Sequence, residues 1–540
     1  MKNQFYLILA LLFAVLLSGS GSWGLTESSE ARYAEIAREM VASGDYLHPS
    51  LLGIHHYHKP PVTYQLTALG YQIFGINEFG ARFFLAVALL LQVFFVYKIG
   101  RLLFKDEKKA IASALIYFSF PVVLIAARNL TTDAFLTTFI LWALYFWLLR
   151  KQGRSVLFLY GFYLMLGLAM LTKGPVVLLP PVIFILFWKI INREKMKFTM
   201  HTFLGTLLFL VVSASWFVAV IIDKPILLDY FVKDQIVKRS LEAEKFHRSK
   251  PFWYYLAFAP LLGVPWLFFI GTDAVKNFKS IMNRRKNEMI LLWSSLLLLL
   301  IFSLFSSKLI LYILPIYPFM ALLGGSLLER TPLKRLNIYT KIFAGLFLIL
   351  FSGLLYLSFS EQFQFSFWYA LPLCALLAAV GFYFLKMRNK DLLRPVYMGV
   401  WFSVFLLFTY ALFGAQNDGV INSVKELSAF VKQEKQDVNN VVVYDYLLPS
   451  AAFYLGDRIV TVNEKNFKSQ REVEFESDSL YKKNYIDLRQ EGELKRFKDL
   501  MRQKDNVLIL RKKKQLPDSL QYLLTNFSHS AERGKWRVYY

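Results

Sequence analysis

Long apolar blocks alternate with short polar stretches along most of this chain. The blocks run for roughly 17–22 residues, the length of helix that crosses about 30 Å of hydrocarbon. They predict about thirteen transmembrane helices, at 4–22, 82–99, 110–127, 133–149, 155–172, 175–191, 203–222, 253–271, 289–306, 309–328, 342–359, 366–385 and 395–414. Two regions depart from the pattern. Residues 26–43, TESSEARYAEIAREMVAS, set Tyr33, Ile36, Ala37, Met40 and Val41 at helical spacing before a stop at Gly44. A short amphipathic helix of this kind is expected to lie along a membrane surface. Beyond residue 414 the apolar blocks end. Strand-like runs (NVVVYD at 440–445, RIVTV at 458–462, NVLILR at 506–511, WRVYY at 536–540) then alternate with polar helical stretches.

The expected fold class is an all-α polytopic membrane protein with a small α/β C-terminal domain. The transmembrane domain would cover 1–414, with large outer loops at 23–81 and 223–252, and the soluble domain 415–540. Composition agrees. Of 540 residues, 56% are hydrophobic and only 19% charged, with a mean hydropathy of +0.41. That excludes a disordered chain, a coiled coil and an ordinary soluble enzyme. The single cysteine, Cys374, allows neither an intramolecular disulfide nor a cysteine metal site.

A net charge of +24 would suggest a nucleic-acid partner in a soluble protein. Here the basic residues gather in alternate loops, such as Lys98, Arg101, Lys105, Lys108 and Lys109, or Lys276, Lys279, Arg284, Arg285 and Lys286. Those loops are expected to face the cytoplasm. The first apolar block, after Lys2, has the look of a signal peptide, but the loop charges fit a retained span. Loop 223–252 breaks the rule. It falls on the outer side yet carries Lys238, Arg239, His247, Arg248 and Lys250, which suits an anionic ligand.

The remaining chemistry gathers at the outer rim. Glu27 and Glu30 share a helical face; they either complement the helix dipole or supply a catalytic carboxylate. Four histidines (His48, His55, His56, His58) fall within eleven residues, in no closed zinc spacing. Lys59, fixed by Pro60-Pro61, suits a phosphate contact or snorkels to headgroups. Arg128 and Asp133 flank AARNLTTDAF, Lys173 stands in LTKGPV, and Lys308 in SSKLILYILP. Mid-span charges are almost absent, which disfavours an ion-coupled pump. A charged cluster on one rim fits an enzyme whose substrate is a lipid with an anionic head.

With these residues in view, the chain resembles the GT-C-fold, polyprenyl-phosphate-dependent glycosyltransferases. Within them it is similar to the bacterial 4-amino-4-deoxy-L-arabinose lipid A transferase group, and more distantly to protein O-mannosyltransferases. The stretches that carry the resemblance are SEARYAEIAREMVASGDY, HKPPVTYQ, NEFGARF, LTKG, the histidine of EKFHRSKPFWYY, and SSKLILYILP. The resemblance implies sugar transfer from a polyprenyl (undecaprenyl) phosphate donor, with inversion at the anomeric carbon. The acceptor would be lipid A, another envelope glycan or a protein. No nucleotide cofactor and no nucleic acid would take part. The enzyme would sit among the lipids of the bacterial inner membrane, with its active site and C-terminal domain periplasmic.

The family's residues carry over one by one. The family's proposed catalytic Asp, in an Asp-Glu pair just before its Arg-Tyr-Ala-Glu run, is Ser29 here, while Glu30 is retained and Glu27 lies one turn earlier. The resemblance therefore implies Glu30, Glu27 and Asp133 as catalytic acids. It implies Lys59 and Lys173 as phosphate contacts, and Arg32, Arg128 and Lys308 are further candidates. The family's metal pair becomes His58 and His247 here, a donor set that favours Zn²⁺ as the divalent ion. The non-enzymatic alternative is a lipid-linked sugar flippase, but neither an inverted repeat nor mid-membrane binding residues are visible.

Overall fold

A computed structural model describes residues 2–27, 29–231, 250–386, 392–435, 437–466, 473–476 and 479–540. The chain divides into two units. One joins Met1–Ser20 to Phe83–Phe413, and the other joins Gly21–Arg82 to Gly414–Tyr540.

The first unit is helical and apolar, and the protein is a multi-pass membrane protein. Among the described residues, nine helices are long and apolar enough to span a bilayer, and two bent helix pairs bring the number to eleven. Two shorter apolar helices, Asn3–Leu17 and Leu157–Lys173, account for the remaining predicted segments. The segments predicted at 110–127 and 253–271 are the two bent pairs. Glu107–Phe118 and Pro121–Ala127 meet at 62°, and Tyr254–Leu262 and Trp266–Lys276 at 105°. Pro121 opens the second helix of the first pair, and Gly263-Val264-Pro265 separates the helices of the second. Proline has no N–H to continue the ladder, so an apolar run can stay buried while its axis turns.

Close packing in this unit depends on small residues. A Cβ at Gly325, in helix Tyr317–Leu327, would lie 2.1 Å from Ser113 Oγ and 2.7 Å from the backbone oxygen of Lys109. Glycine lets two backbones meet where no side chain fits. Gly325→Val is expected to lower stability by about 1–3 kcal/mol. Gly345→Val, at a position with nothing within 4 Å of its would-be Cβ, is expected to be near neutral. Thermal midpoints in detergent would check both.

The second unit is built around a six-stranded sheet. The strands in chain order, after a two-residue hairpin β1 (Ser50–Leu51) and β2 (Ile54–His55), are β3 (Asn440–Tyr444), β4 (Ile459–Asn463), β5 (Tyr485–Asp487), β6 (Asn506–Arg511), β7 (Ser530–Arg533) and β8 (Trp536–Tyr539). Their order in the sheet is β5-β4-β3-β6-β8-β7, the first four parallel and the last two antiparallel. Strands β3, β4 and β6 are continuous Val/Ile/Leu runs, as expected where both faces are covered. Val442, Val462, Ile486 and Leu508 pack with Phe497 and Met501 of helix Glu493–Arg502 into one core.

Helix Ser29–Ser43 belongs to this unit and packs against helices Val62–Phe74 and Pro449–Leu455. Its polar side is buried as well as its apolar one: Glu30, Glu35, Arg38 and Glu39 are all buried. Glu39 accepts from Ser50 Oγ at 2.5 Å and from the Leu52 and Gly53 N–H groups, which pins the β1–β2 turn. Both turn residues have positive φ, 58° and 71°, a strain that the carboxylate's bonds offset.

Candidate active site

The predicted residues fall into both units. In the sheet-bearing unit, Glu30 has no solvent exposure. Arg82 donates to its two oxygens at 2.8 and 3.0 Å, and the Thr26 N–H and hydroxyl each donate to Oε2 at 2.9 Å. The same guanidinium donates to the carbonyls of Trp23 and Gly24 and lies 4.2 Å over the Trp23 ring. Glu30 thus ties the start of its helix to the chain before it. Arg82 lies inside the NEFGARF stretch, but the sequence offers no sign that it partners an acid 52 positions away.

Glu27 is placed differently. One oxygen accepts the Ser450 N–H at 2.8 Å. The other is buried and makes no hydrogen bond among the described residues. Two backbone bonds with Asn422, at 2.9 and 3.0 Å, hold the segment in place. Burial pushes the carboxyl up to about 7; the bonds from Ser450 and the charges of Arg32 and Arg511 oppose that rise. A carboxyl that titrates near neutrality suits proton transfer. Arg32 is half-buried, and its Nε makes no hydrogen bond among the described residues. Ser29, at the family's Asp position, opens the helix.

Lys59 is half-buried directly before Pro60-Pro61, where helix Val62–Phe74 begins. The histidine tract beside it is mostly structural. His48 Nδ1 lies 2.9 Å from Asp45, and His55 Nδ1 lies 2.9 Å from Glu476. His56 and His58 are buried with their rings edge to face, 4.7 Å apart, and His58 also meets Phe475. His247 lies outside the described residues. Among the described residues, no group of three or more His, Cys, Asp or Glu side chains is arranged to hold a metal ion.

In the membrane unit, Asp133 stands in the first turn of helix Thr132–Lys151, and Lys173 is the last residue of helix Leu157–Lys173. Gly174, with φ 94°, turns the chain there. The Lys173 ammonium bonds the Asp133 carboxylate and sits 3.7 Å from the Tyr312 ring centroid. The pair is almost completely buried, the side chains 8% and 6% exposed. The two other predicted cations of this unit reach backbone carbonyls. Arg128 donates to Leu16, Ser18 and Leu407, joining three helical segments. Lys308 donates to Lys250 and Phe305 beyond the end of helix Lys286–Leu304. Among these acceptors, Leu16 and Phe305 lie at helix ends, where carbonyls have no partner within the helix.

Sequence reasoning did not single out Tyr446 and Arg511. Arg511 lies 4.0 Å over the Tyr446 ring and within electrostatic reach of Glu27. A charged residue closing an apolar strand, as in NVLILR, was the available signal.

Residues 58–218 match the profile described as dolichyl-phosphate-mannose-protein mannosyltransferase. An undecaprenyl phosphate-alpha-4-amino-4-deoxy-L-arabinose arabinosyl transferase from Pseudomonas fluorescens is 32% identical over 335 residues, 60% of each chain. The corresponding protein of Edwardsiella ictaluri is 30% identical, over 60% of this chain and 58% of its own. The chain therefore spans about 60% of the length of the curated relatives it matches. The crystal structure of ArnT from Cupriavidus metallidurans bound to undecaprenyl phosphate superposes with a TM-score of 0.79 at 22% identity, covering 100% of this chain and 98% of that one. The fold is of that GT-C type. The resemblance read from the sequence motifs is found again by profile, by sequence and by fold.

Proposed function

We propose that this protein is a membrane glycosyltransferase that moves a sugar from undecaprenyl phosphate to an envelope glycolipid such as lipid A, inverting the anomeric carbon. The observation that carries the reading is Glu27, a buried acid with one oxygen fixed, one oxygen unbonded among the described residues, and a carboxyl pushed up to about 7. The names of the curated relatives supply the donor class. On this reading the outer unit faces the periplasm of a bacterial inner membrane, supported by the basic loops on the opposite side.

The acceptor oxygen attacks the anomeric carbon as the bond from that carbon to the phosphate oxygen breaks. Glu27 accepts the acceptor's proton. The donor phosphate is a diester with one negative charge, and it leaves as a monoester with two. Cations near that oxygen therefore stabilise the transition state more than the ground state. Each unit offers its own candidates: Lys59 and Arg32 in one, and Lys173, held by Asp133, in the other. Glu30 acts as a positioning residue through Arg82. A Zn²⁺ ion, if the protein takes one, would be held by His58 with His247 and would supply Lewis acidity.

Lys173→Ala is expected to lower kcat at least 10²-fold, with Asp133→Asn milder because the cation remains. The test of the whole reading is transfer of labelled sugar from undecaprenyl phosphate by purified protein, with wild type, Glu27→Gln and Lys59→Ala compared. Full activity in both variants refutes the site. No transfer from any lipid-linked donor refutes the function. Transfer to a polypeptide in place of a glycolipid would favour the protein-glycosylating reading, consistent with the profile match at 58–218.

A further inference from the structure

The chain leaves β3 and runs outward through β4 and β5, while β6 adds on the other side of β3. That reversal makes a crevice at the carboxyl ends of β3 and β6, the place where open α/β sheets receive ligands. Tyr446 stands two residues past the end of β3, and Arg511 is the last residue of β6. Arg511 lies 4.0 Å over the Tyr446 ring and 5.9 Å from that of Trp536, its register partner on β8. The Tyr446 and Trp536 rings meet edge to face at 5.3 Å. From the first loop, Glu27 reaches the same place: its carboxylate takes the Ser450 N–H and feels both Arg32 and Arg511.

Charge in this crevice does not balance. Arg511 is exposed and Arg32 half-buried, and among the described residues no carboxylate lies within ion-pair distance of either. A guanidinium's five donors lie in its own plane, so a ring beneath it fixes the plane without consuming them. Arg511 on its two aromatic rings, with Arg32 near the same carboxyl, makes a surface for a saccharide that carries phosphate: the aromatic wall borders the sugar, and the forks match phosphate oxygens.

We propose that the crevice bounded by Tyr446, Arg511, Trp536, Arg32 and Glu27 is a subsite for a phosphorylated sugar, contributed by the C-terminal sheet and resting on the transferase reading above. The phosphosugar belongs either to the donor or to the acceptor, and the two sources are separable. Arg511 is a specificity residue here, not a catalytic one.

The test uses the full chain in detergent. Calorimetric titration with glucosamine 1-phosphate is expected to show binding at least tenfold tighter than with glucosamine. Arg511→Ala is expected to abolish that preference, with Arg511→Lys intermediate, since an ammonium keeps the charge but loses the fork. Equal affinity of wild type for both sugars, or an unchanged preference in Arg511→Ala at an unchanged thermal midpoint, overturns the proposal. In transfer assays, Arg511→Ala raises KM for the donor if the subsite holds the donor, and for the acceptor if it holds the acceptor. A change in neither overturns it. Arg511-dependent binding without transfer by wild type would keep the subsite and refute the transferase reading, so the two failures are distinguishable.

Discussion

Replacing Glu27 by glutamine is expected to lower kcat for sugar transfer by roughly 10²–10⁴-fold, the range for loss of a general base, without lowering stability. Glutamine keeps the shape and the acceptor oxygen that the Ser450 N–H needs. The pH dependence separates the two effects. The carboxyl sits at about 7 in the folded protein against an ordinary 4.5, so the folded state holds the proton more tightly than the unfolded one. Stability from this group therefore declines as pH rises from about 4.5 to about 7, and the full cost of the buried charge applies above that. Glutamine carries no such cost. The variant is expected to be more stable than wild type at pH 8, by about 3 kcal/mol at most, and equal to it near pH 4. Wild-type activity is expected to fall tenfold per pH unit well below 7, as the base becomes protonated. Loss of activity together with a lower thermal midpoint at pH 8 would reassign Glu27 to structure.

Arg82→Ala is expected to have the largest effect on stability, a loss of about 3–5 kcal/mol, because it leaves the Glu30 carboxylate buried with its principal partner gone. The guanidinium joins Glu30, the Trp23 and Gly24 carbonyls and the Trp23 ring, so several ties fail at once. Glu30→Gln is expected to destabilise for the reciprocal reason, and the double variant to cost less than the sum of the singles. Unfolding of the detergent-solubilised protein would measure all three. Activity per folded molecule is expected to fall much less in Glu30→Gln than in Glu27→Gln. If Arg82→Ala is as stable as wild type and Glu30→Gln is folded but inactive, Glu30 is the chemical base after all.

The membrane-spanning segments were legible because a span needs only an unbroken apolar run, a property of composition over a window. Its direction was not legible: hydropathy cannot see that Pro121 and Gly263-Val264-Pro265 turn the axis. Four strands of the six-stranded sheet declared themselves as dense Val/Ile/Leu/Tyr runs. The missed strands carry no such signal. Tyr485–Asp487 is three residues long, and Ser530–Arg533 is a polar edge strand. At the candidate site, the residue types were visible but their partners were not. Glu30 meets Arg82 across 52 positions and Glu27 meets Ser450 across 423, and no local periodicity encodes such distances. That is why two acids one turn apart, alike in sequence, end up in different environments: one clamped by a guanidinium, the other left with an oxygen to spare.

The sheet-bearing unit is assembled from chain on both sides of the spans. Residues 21–82 leave the ribosome before almost all of the spans, yet Glu27 and Arg38 find their partners at Ser450 and Asp457. During translation the early segment therefore waits for these partners while more than half of the protein is inserted into the bilayer. A chain truncated before residue 414 is expected to leave the first loop without those partners, and faster limited proteolysis of that loop would show it.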